Sequence, residues 1–317
     1  MIRNPANPVI DETLESFDQL SQAAEQGDAK AQFKLGYMYQ IGKNVDQDIQ
    51  KAISLFHQAT EQNLVDAQFR LGVIYETGID VPQDNIKAFY WFRQAAEQGD
   101  PQDQYKLGLM YANGQGVEQD FQEANTWFKK ATEQGYADAQ LQLGWMYANG
   151  KGVQKDLQEA FNFYRQAADQ NHAAAQYFLG DLYQTGNGVP VDLQETFNLY
   201  YQAADQNYAA AQYRLGVIYQ TGNGVPVNLQ EAAKWYELAA SQGFSYAQSA
   251  LGLLYDDGLG VPQDFAVAYA LFNLSAAQGD DFSIQKRNEL QKRLTFSQLE
   301  DGQRLSRGIN PPVLGLF

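Results

Sequence analysis

The sequence predicts an all-α protein. The expected architecture is a right-handed superhelical solenoid of antiparallel helix pairs, with seven 36-residue repeats plus caps. Three observations predict it. A 36-residue period runs through the chain without a slip. Each copy contains two stretches of helical periodicity. Each stretch is bounded by residues that start or stop helices. The period shows in Ala31-Gln32-Phe33-Lys34-Leu35-Gly36, which returns as Ala67-Gln68-Phe69-Arg70-Leu71-Gly72 and then at 103–108, 139–144, 175–180, 211–216 and 247–252. A fixed period of this size marks a repeat architecture.

The first helix of each copy carries Ala31, Leu35, Met38 and Tyr39 or their equivalents. The spacing i, i+4, i+7, i+8 places them on one face. Gly36 and its counterparts sit inside this helix, where glycine costs up to about 1 kcal/mol against alanine. A glycine repeated there implies close approach of another helix. The helix stops at Gly42, Gly78, Gly114, Gly150, Gly186, Gly222 and Gly258. A loop follows, such as Gln115-Gly116-Val117-Glu118-Gln119-Asp120. Its last residue recurs as Asp48, Asp84, Asp120, Asp156, Asp192 and Asp264, with Asn228 in the remaining copy. Asp and Asn accept from the first free amides of a helix, so this residue should start the second helix.

The second helix carries Ala52, Ala88, Ala124, Ala160, Thr196, Ala232 and Ala268. Four residues on stands an aromatic: Phe56, Phe92, Phe128, Tyr164, Tyr200, Tyr236 and Phe272. The segment closes at Gly27, Asn63, Gly99, Gly135, Asn171, Asn207, Gly243 and Gly279. Only glycine and asparagine appear there, the two residues that best tolerate the left-handed conformation ending a helix.

One helix pair cannot bury its apolar face alone, and stacking on neighbours does so. The reading is one elongated domain in three parts. Residues 1–27 form an N-terminal extension and capping helix, 28–279 the seven repeats, and 280–317 a degenerate capping pair with an apolar tail. The pair is expected over 280–294 and 296–307, with Thr295 and Gln298 as a capping box. The tail, Gly308-Ile309-Asn310-Pro311-Pro312-Val313-Leu314-Gly315-Leu316-Phe317, cannot continue the helix. It is expected to dock on its own cap, on a neighbour or on a partner.

The pattern Ala-x-Ala-Gln-x-x-Leu-Gly-x-x-Tyr-x-x-Gly is present over Ala137–Gly150. It is followed by Gly152-Val153-Gln154-Lys155-Asp156 and, in a later copy, by Trp235-Tyr236 with Ala239-Ala240. In these residues the chain resembles the Sel-one-like repeat (SLR) family, a relative of the tetratricopeptide repeat, over roughly 15–307. The resemblance implies an adaptor, scaffold or regulator of other proteins, many such being bacterial. Asp103 for Ala, Thr196 for Ala and Ser249-Ala250 depart from the pattern; the last pair leaves the packing of copy seven open.

Composition narrows the functions. Of 317 residues, 44% are apolar, and cysteine is absent. Disulfides, thiolate metal sites and cysteine nucleophiles are excluded. With only two histidines, histidine-based catalysis and metal binding are not expected. The net charge is −16, which should repel nucleic acid and anionic lipid. The charge is uneven: residues 166–285 hold two basic and twelve acidic residues, net −10, whereas 286–317 carry net +3. A run long enough to span a membrane is absent. As written the chain reads as cytoplasmic; a periplasmic or secreted location would follow if a signal peptide had been removed.

No catalytic constellation stands out. His57 aligns with Arg93, Lys129, Arg165, Tyr201, Glu237 and Asn273 in later copies, which suggests exposed surface. His172 follows the Asn171 turn. Asp46/Asp48, Asp256/Asp257 and Asp280/Asp281 read as solvated turn acids. Expected therefore are no catalytic residue, no metal, no cofactor and no enzyme activity.

The variable positions of the first helix are 30, 34, 37 and 41, a single stripe at i, i+4, i+7, i+11. In a solenoid such a stripe lines the concave surface, and related tetratricopeptide proteins bind peptides there. The candidate partner-binding residues are Lys34, Tyr37, Arg70, Val73, Lys106, Leu109, Trp145, Phe178, Asp181, Arg214 and Val217. Lys34, Arg70 and Lys106 could clamp a carboxylate or acidic segment; Tyr37 and Trp145 have the character of interface anchors. The competing reading is that the cations cover the helices and pair with acids such as Asp66 and Glu76. The partner expected is another protein, either basic or presenting a peptide segment. The function expected is a protein-interaction scaffold or adaptor. The alternative is an inhibitor or immunity-type protein that masks a basic effector or toxin with its acidic surface; an enzyme or cell-wall ligand binder is the third class.

Overall fold

The computed structural model describes residues 16–308. Among them are seventeen α-helices and no strand. They are α1 (Phe17–Glu25), α2 (Ala29–Ile41), α3 (Ile49–Thr60), α4 (Val65–Thr77), α5 (Asn85–Glu97), α6 (Pro101–Asn113), α7 (Phe121–Glu133), α8 (Ala137–Asn149), α9 (Leu157–Ala168), α10 (Ala173–Thr185), α11 (Leu193–Asp205), α12 (Ala209–Thr221), α13 (Leu229–Ser241), α14 (Ser245–Asp257), α15 (Phe265–Ala277), α16 (Asp281–Gln291) and α17 (Phe296–Gly308). Residues 1–15 of the expected extension and 309–317 of the apolar tail lie outside the described residues.

The chain divides into two compact units, 1–163 and 164–317, the division falling inside α9. In the first unit α1 packs on α2, and each helix up to α8 packs on the next; in the second the same order runs from α10 to α15, with α16 and α17 both against α15. This neighbour-on-neighbour packing is that of a helical solenoid.

The boundaries arise from the residues expected to make them. Asp48 accepts from the Lys51 amide at 2.9 Å, and Asp120 from the amides of Gln122 and Glu123 at 2.8 and 3.0 Å. Asn228 does the same for Glu231 at 3.1 Å. At the other ends the chain enters the left-handed region, with φ 58° at Asn63 and 103° at Gly99. Four first helices lack a side-chain cap because Leu64, Tyr136, Tyr208 and Phe244 stand there. The three aromatic ones pack instead on the preceding first helix: Tyr136 on Tyr105, Tyr208 on Tyr177 and Phe244 on Tyr213, with ring centroids 5.3–5.5 Å apart.

The helical glycines mark close approach, and the approaching group is a ring. A methyl group at Gly72 would stand 2.8 Å from Phe92, and one at Gly252 would stand 2.9 Å from Phe272. The rings of Phe56, Phe92, Phe128, Tyr200, Tyr236 and Phe272 are essentially fully buried. Together with the fully buried alanines beside them, they form the core between the two helices of a pair.

The described residues before the first pair form α1, and those after α15 form α16 and α17. Ser16 and Gln19 make a capping box at α1. Thr295 and Gln298 make another before α17, with the Gln298 amide donating to Thr295 Oγ1 at 3.3 Å. The departures in copies five and seven are accommodated by hydrogen bonds: Thr196 Oγ1 donates to the Asp192 carbonyl at 2.7 Å, and Ser283 Oγ to Ser249 Oγ at 3.0 Å. Asp256 differs from its reading as a solvated turn acid. It belongs to the last turn of α14, is buried, and lies 3.6 Å from the Arg293 guanidinium.

Candidate partner-binding face

The stripe residues all lie on first helices, because the period places the same helical position at every step. In the first unit Lys34 and Tyr37 are on α2, Arg70 and Val73 on α4, Lys106 and Leu109 on α6, and Trp145 on α8. In the second, Phe178 and Asp181 are on α10, and Arg214 and Val217 on α12. Trp145 keeps 39% of its surface exposed, whereas Tyr37 keeps 5%. Val73, Leu109, Phe178 and Val217 are half-buried.

Several stripe cations are held within the chain. The buried Arg70 guanidinium lies 5.0 Å from the Tyr37 ring centroid. Burial pulls its pKa down, against the opposing influence of Tyr37 and Asp66. Lys106 Nζ lies 2.6 Å from Glu76 Oε1 and 5.2 Å from the centre of the Phe92 ring. Arg214 lies 3.4 Å from Asp181. The Tyr200 hydroxyl donates to the same carboxylate. Burial, then the Asp181 charge, push that phenol far above its ordinary pKa, so it stays a donor. Phe178 stacks on Tyr164 at 5.4 Å.

Between α4 and α6 lies a cleft of about 270 Å³. Phe69, Val73, Phe92, Tyr105 and Tyr136 line it, together with the polar Glu76, Gln102 and Lys106. The rings support one another: Phe69 meets Phe92 edge-on at 5.3 Å, and Tyr105 lies 5.3 Å from Tyr136. Sequence reading placed Phe92 only as the aromatic of the second helix and gave Phe69, Tyr105 and Tyr136 no binding role. The available signal was the change from Tyr37 to Val73 at one repeat position.

A second set was also missed. Gln32, Gln68, Gln104, Gln140, Gln176, Gln212 and Gln248 occupy one repeat position and all are buried. A polar residue repeated without change at a buried site must be hydrogen-bonded. Gln98, Gln134, Gln206, Gln242 and Gln278 donate to five of them, 30 residues back, at 2.7–3.0 Å.

Both histidines make contacts within the fold. His57 is half-buried rather than the exposed surface residue expected, with its ring 5.2 Å from Trp91. His172 caps α10 by accepting from the Ala175 amide at 3.3 Å. Among the described residues, no group of three or more His, Asp and Glu is placed to hold a metal ion. No helix among them is long and apolar enough to cross a membrane.

A family model described as "Sel1 repeat" matches seven consecutive segments: residues 29–64, 65–100, 101–136, 137–172, 173–208, 209–244 and 245–280. Among solved structures the chain is similar to a Sel1 repeat protein from Oxalobacter formigenes. The TM-score is 0.78 at 33% identity, over 86% of this chain and 79% of that one. It is also similar to c5321, a protective antigen of uropathogenic Escherichia coli strains, with 27% identity and a TM-score of 0.49 over 93% and 94% of the two chains. Immunity protein Pa5087 from Pseudomonas aeruginosa matches at 21% identity and a TM-score of 0.45, over 69% of this chain and 83% of that one. No curated protein matches the chain.

Proposed function

The chain belongs to the Sel1 repeat family, whose members mediate protein–protein interactions, and we propose that it is a non-catalytic scaffold that binds a protein partner through the face formed by its first helices. The observation that carries this reading is the contrast within those helices. The core positions repeat almost unchanged, while the stripe changes from Tyr37 through Val73, Leu109 and Trp145 to Asp181. A packing role alone needs no such variation, and a half-exposed tryptophan beside half-buried apolar residues has the composition of an interface centre. The test is capture of partners from a lysate by the full chain and by a Leu109→Glu/Trp145→Glu variant, with thermal melting to check folding. A partner retained by the wild type and lost by the folded variant supports the face. A partner retained equally by both overturns it.

One observation favours a second reading, an acidic surface that masks a basic protein. Residues 166–285 contain two cations, Arg214 and Lys234. Both are held by acids of the same stretch: Arg214 by Asp181 at 3.4 Å and Lys234 by Glu231 at 2.6 Å. The stretch therefore presents a nearly uniform negative potential, which speeds encounter with a basic partner and weakens with salt. A single basic partner released at high salt supports this reading; salt-insensitive retention overturns it.

A further inference from the structure

The repeats provide an internal comparison for the cleft between α4 and α6. Shifted by 36 residues, Phe33, Tyr37, Phe56 and Arg70 become Phe69, Val73, Phe92 and Lys106. In the earlier copy the Tyr37 ring fills the space: it is 5% exposed, shares a core cluster with Phe33 and Phe56, and lies under the Arg70 guanidinium at 5.0 Å. In the later copy the side chain at that position is a valine, and Phe69 and Phe92 line a cleft of about 270 Å³ together with Tyr105 and Tyr136, the last standing where the earlier copy has Asp100. The volume lies just below the range of about 300–1,000 Å³ usual for small-molecule pockets and suits one large side chain.

We propose that this cleft binds an aromatic side chain of a partner's peptide segment, supplying from outside the ring that Tyr37 supplies from within. The inference rests on the scaffold reading above and adds the chemistry of the ligand. The aromatic walls offer edge and face contacts to a ring. Lys106 holds the repeat position of Arg70 and is among the residues lining the cleft, its ammonium 5.2 Å from the centre of the Phe92 ring. Glu76 decides against a carboxylate ligand. Its Oε1 is 2.6 Å from Lys106 Nζ, so the cation is already neutralised and a second carboxylate meets a like charge. Side by side, the carboxylate accepts and the ammonium donates, matching the N–H and C=O of a peptide unit next to the bound ring. The ligand is thus a neutral aromatic residue within a chain.

The test uses the full chain with N-acetyl-phenylalanine amide, N-acetyl-leucine amide and N-acetyl-aspartate amide, read by ligand-observed NMR titration. The phenylalanine probe should bind with a dissociation constant on the order of 1 mM, about 4 kcal/mol, and at least fivefold more tightly than the other two. Val73→Tyr places in α4 the residue that the chain already uses at this position in α2. It should melt no lower than the wild type and lose at least tenfold in probe affinity. Binding to the Val73→Tyr variant equal to wild type overturns the site. A leucine or aspartate probe that binds as well as phenylalanine overturns the ligand class. If the wild type captures a partner that the Val73→Tyr variant holds equally, the cleft fails while the scaffold reading stands. If the probe binds but no partner is captured, both the peptide assignment and the scaffold reading fall.

Discussion

The Gln134 amide donates to Gln104 Oε1 at 2.9 Å and to the Gly99 carbonyl at 2.7 Å. Gln104 is buried in its own repeat, and Gly99 closes the repeat before. One side chain therefore ties the two ends of a helix pair together and joins that pair to its predecessor. The motif recurs at Gln278, which reaches Gln248 and the Gly243 carbonyl, both at 3.0 Å.

Gln134→Ala should destabilise the protein by about 1–3 kcal/mol, because a buried acceptor on Gln104 loses its donor. Chemical denaturation measures this. Gln122→Ala is the control, since that exposed side chain makes none of these bonds. Equal midpoints for the two variants would show that the glutamine ladder contributes nothing.

Gly72→Ala should be more costly than its small volume suggests. The added methyl group would stand 2.8 Å from Phe92 Cε1 and 2.9 Å from two further ring carbons. Overpacking of this kind costs about 1–3 kcal/mol. Phe92→Leu in the same chain gives the methyl room, so the double variant should be more stable than the sum of the two single losses implies. Simple additivity in a double-mutant cycle would place the strain elsewhere.

The fold was legible because repetition reports local chemistry many times over. Asp120 as a helix start, Gly114 as a stop and Gly108 as a close approach each follow from the residue and its offset. The site was less legible, for a physical reason. Whether Lys106 faces a partner or a carboxylate depends on Glu76, 30 residues back, and Arg70 meets Tyr37 at an offset of 33. These offsets cross from one repeat to the next and follow from packing, not from the period of a single helix. His57 misled for the same reason: its aligned neighbours vary freely, yet Trp91 of the next repeat half-covers it. The buried glutamines could have been read, since an unchanging polar residue beside a core alanine demands a partner.

His57 should titrate below the ordinary histidine value of about 6.5. Burial disfavours its imidazolium, and the Glu61 charge only partly offsets this. Because the folded pKa is the lower one, the unfolded chain binds more protons between the two values. The contribution to stability is present above about pH 6.5 and is lost as the pH falls through that window. An NMR titration of the two histidines reads the folded value directly. His57→Gln should remove this part of the acid sensitivity. A folded pKa at or above 6.5 would contradict the burial of the ring.

Trp145 separates binding from stability. Among the named candidate residues it is the large apolar one with the greatest exposure, 39%, and it lies on α8 in the same unit as the aromatic cleft. Truncating so exposed a side chain should change folding stability by no more than about 0.5 kcal/mol. If the first-helix face binds the partner, Trp145→Ala should nevertheless weaken capture at least tenfold, about 1.4 kcal/mol, as expected for an aromatic anchor that becomes desolvated. Tyr90 gives the comparison. It is 54% exposed, more than Trp145, but it belongs to the second helix α5. Tyr90→Ala should leave both melting temperature and capture unchanged. Exposed apolar area alone would predict the larger loss at Tyr90, whereas a binding face on the first helices predicts the loss at Trp145 alone, so titrating the captured partner against both variants decides between them.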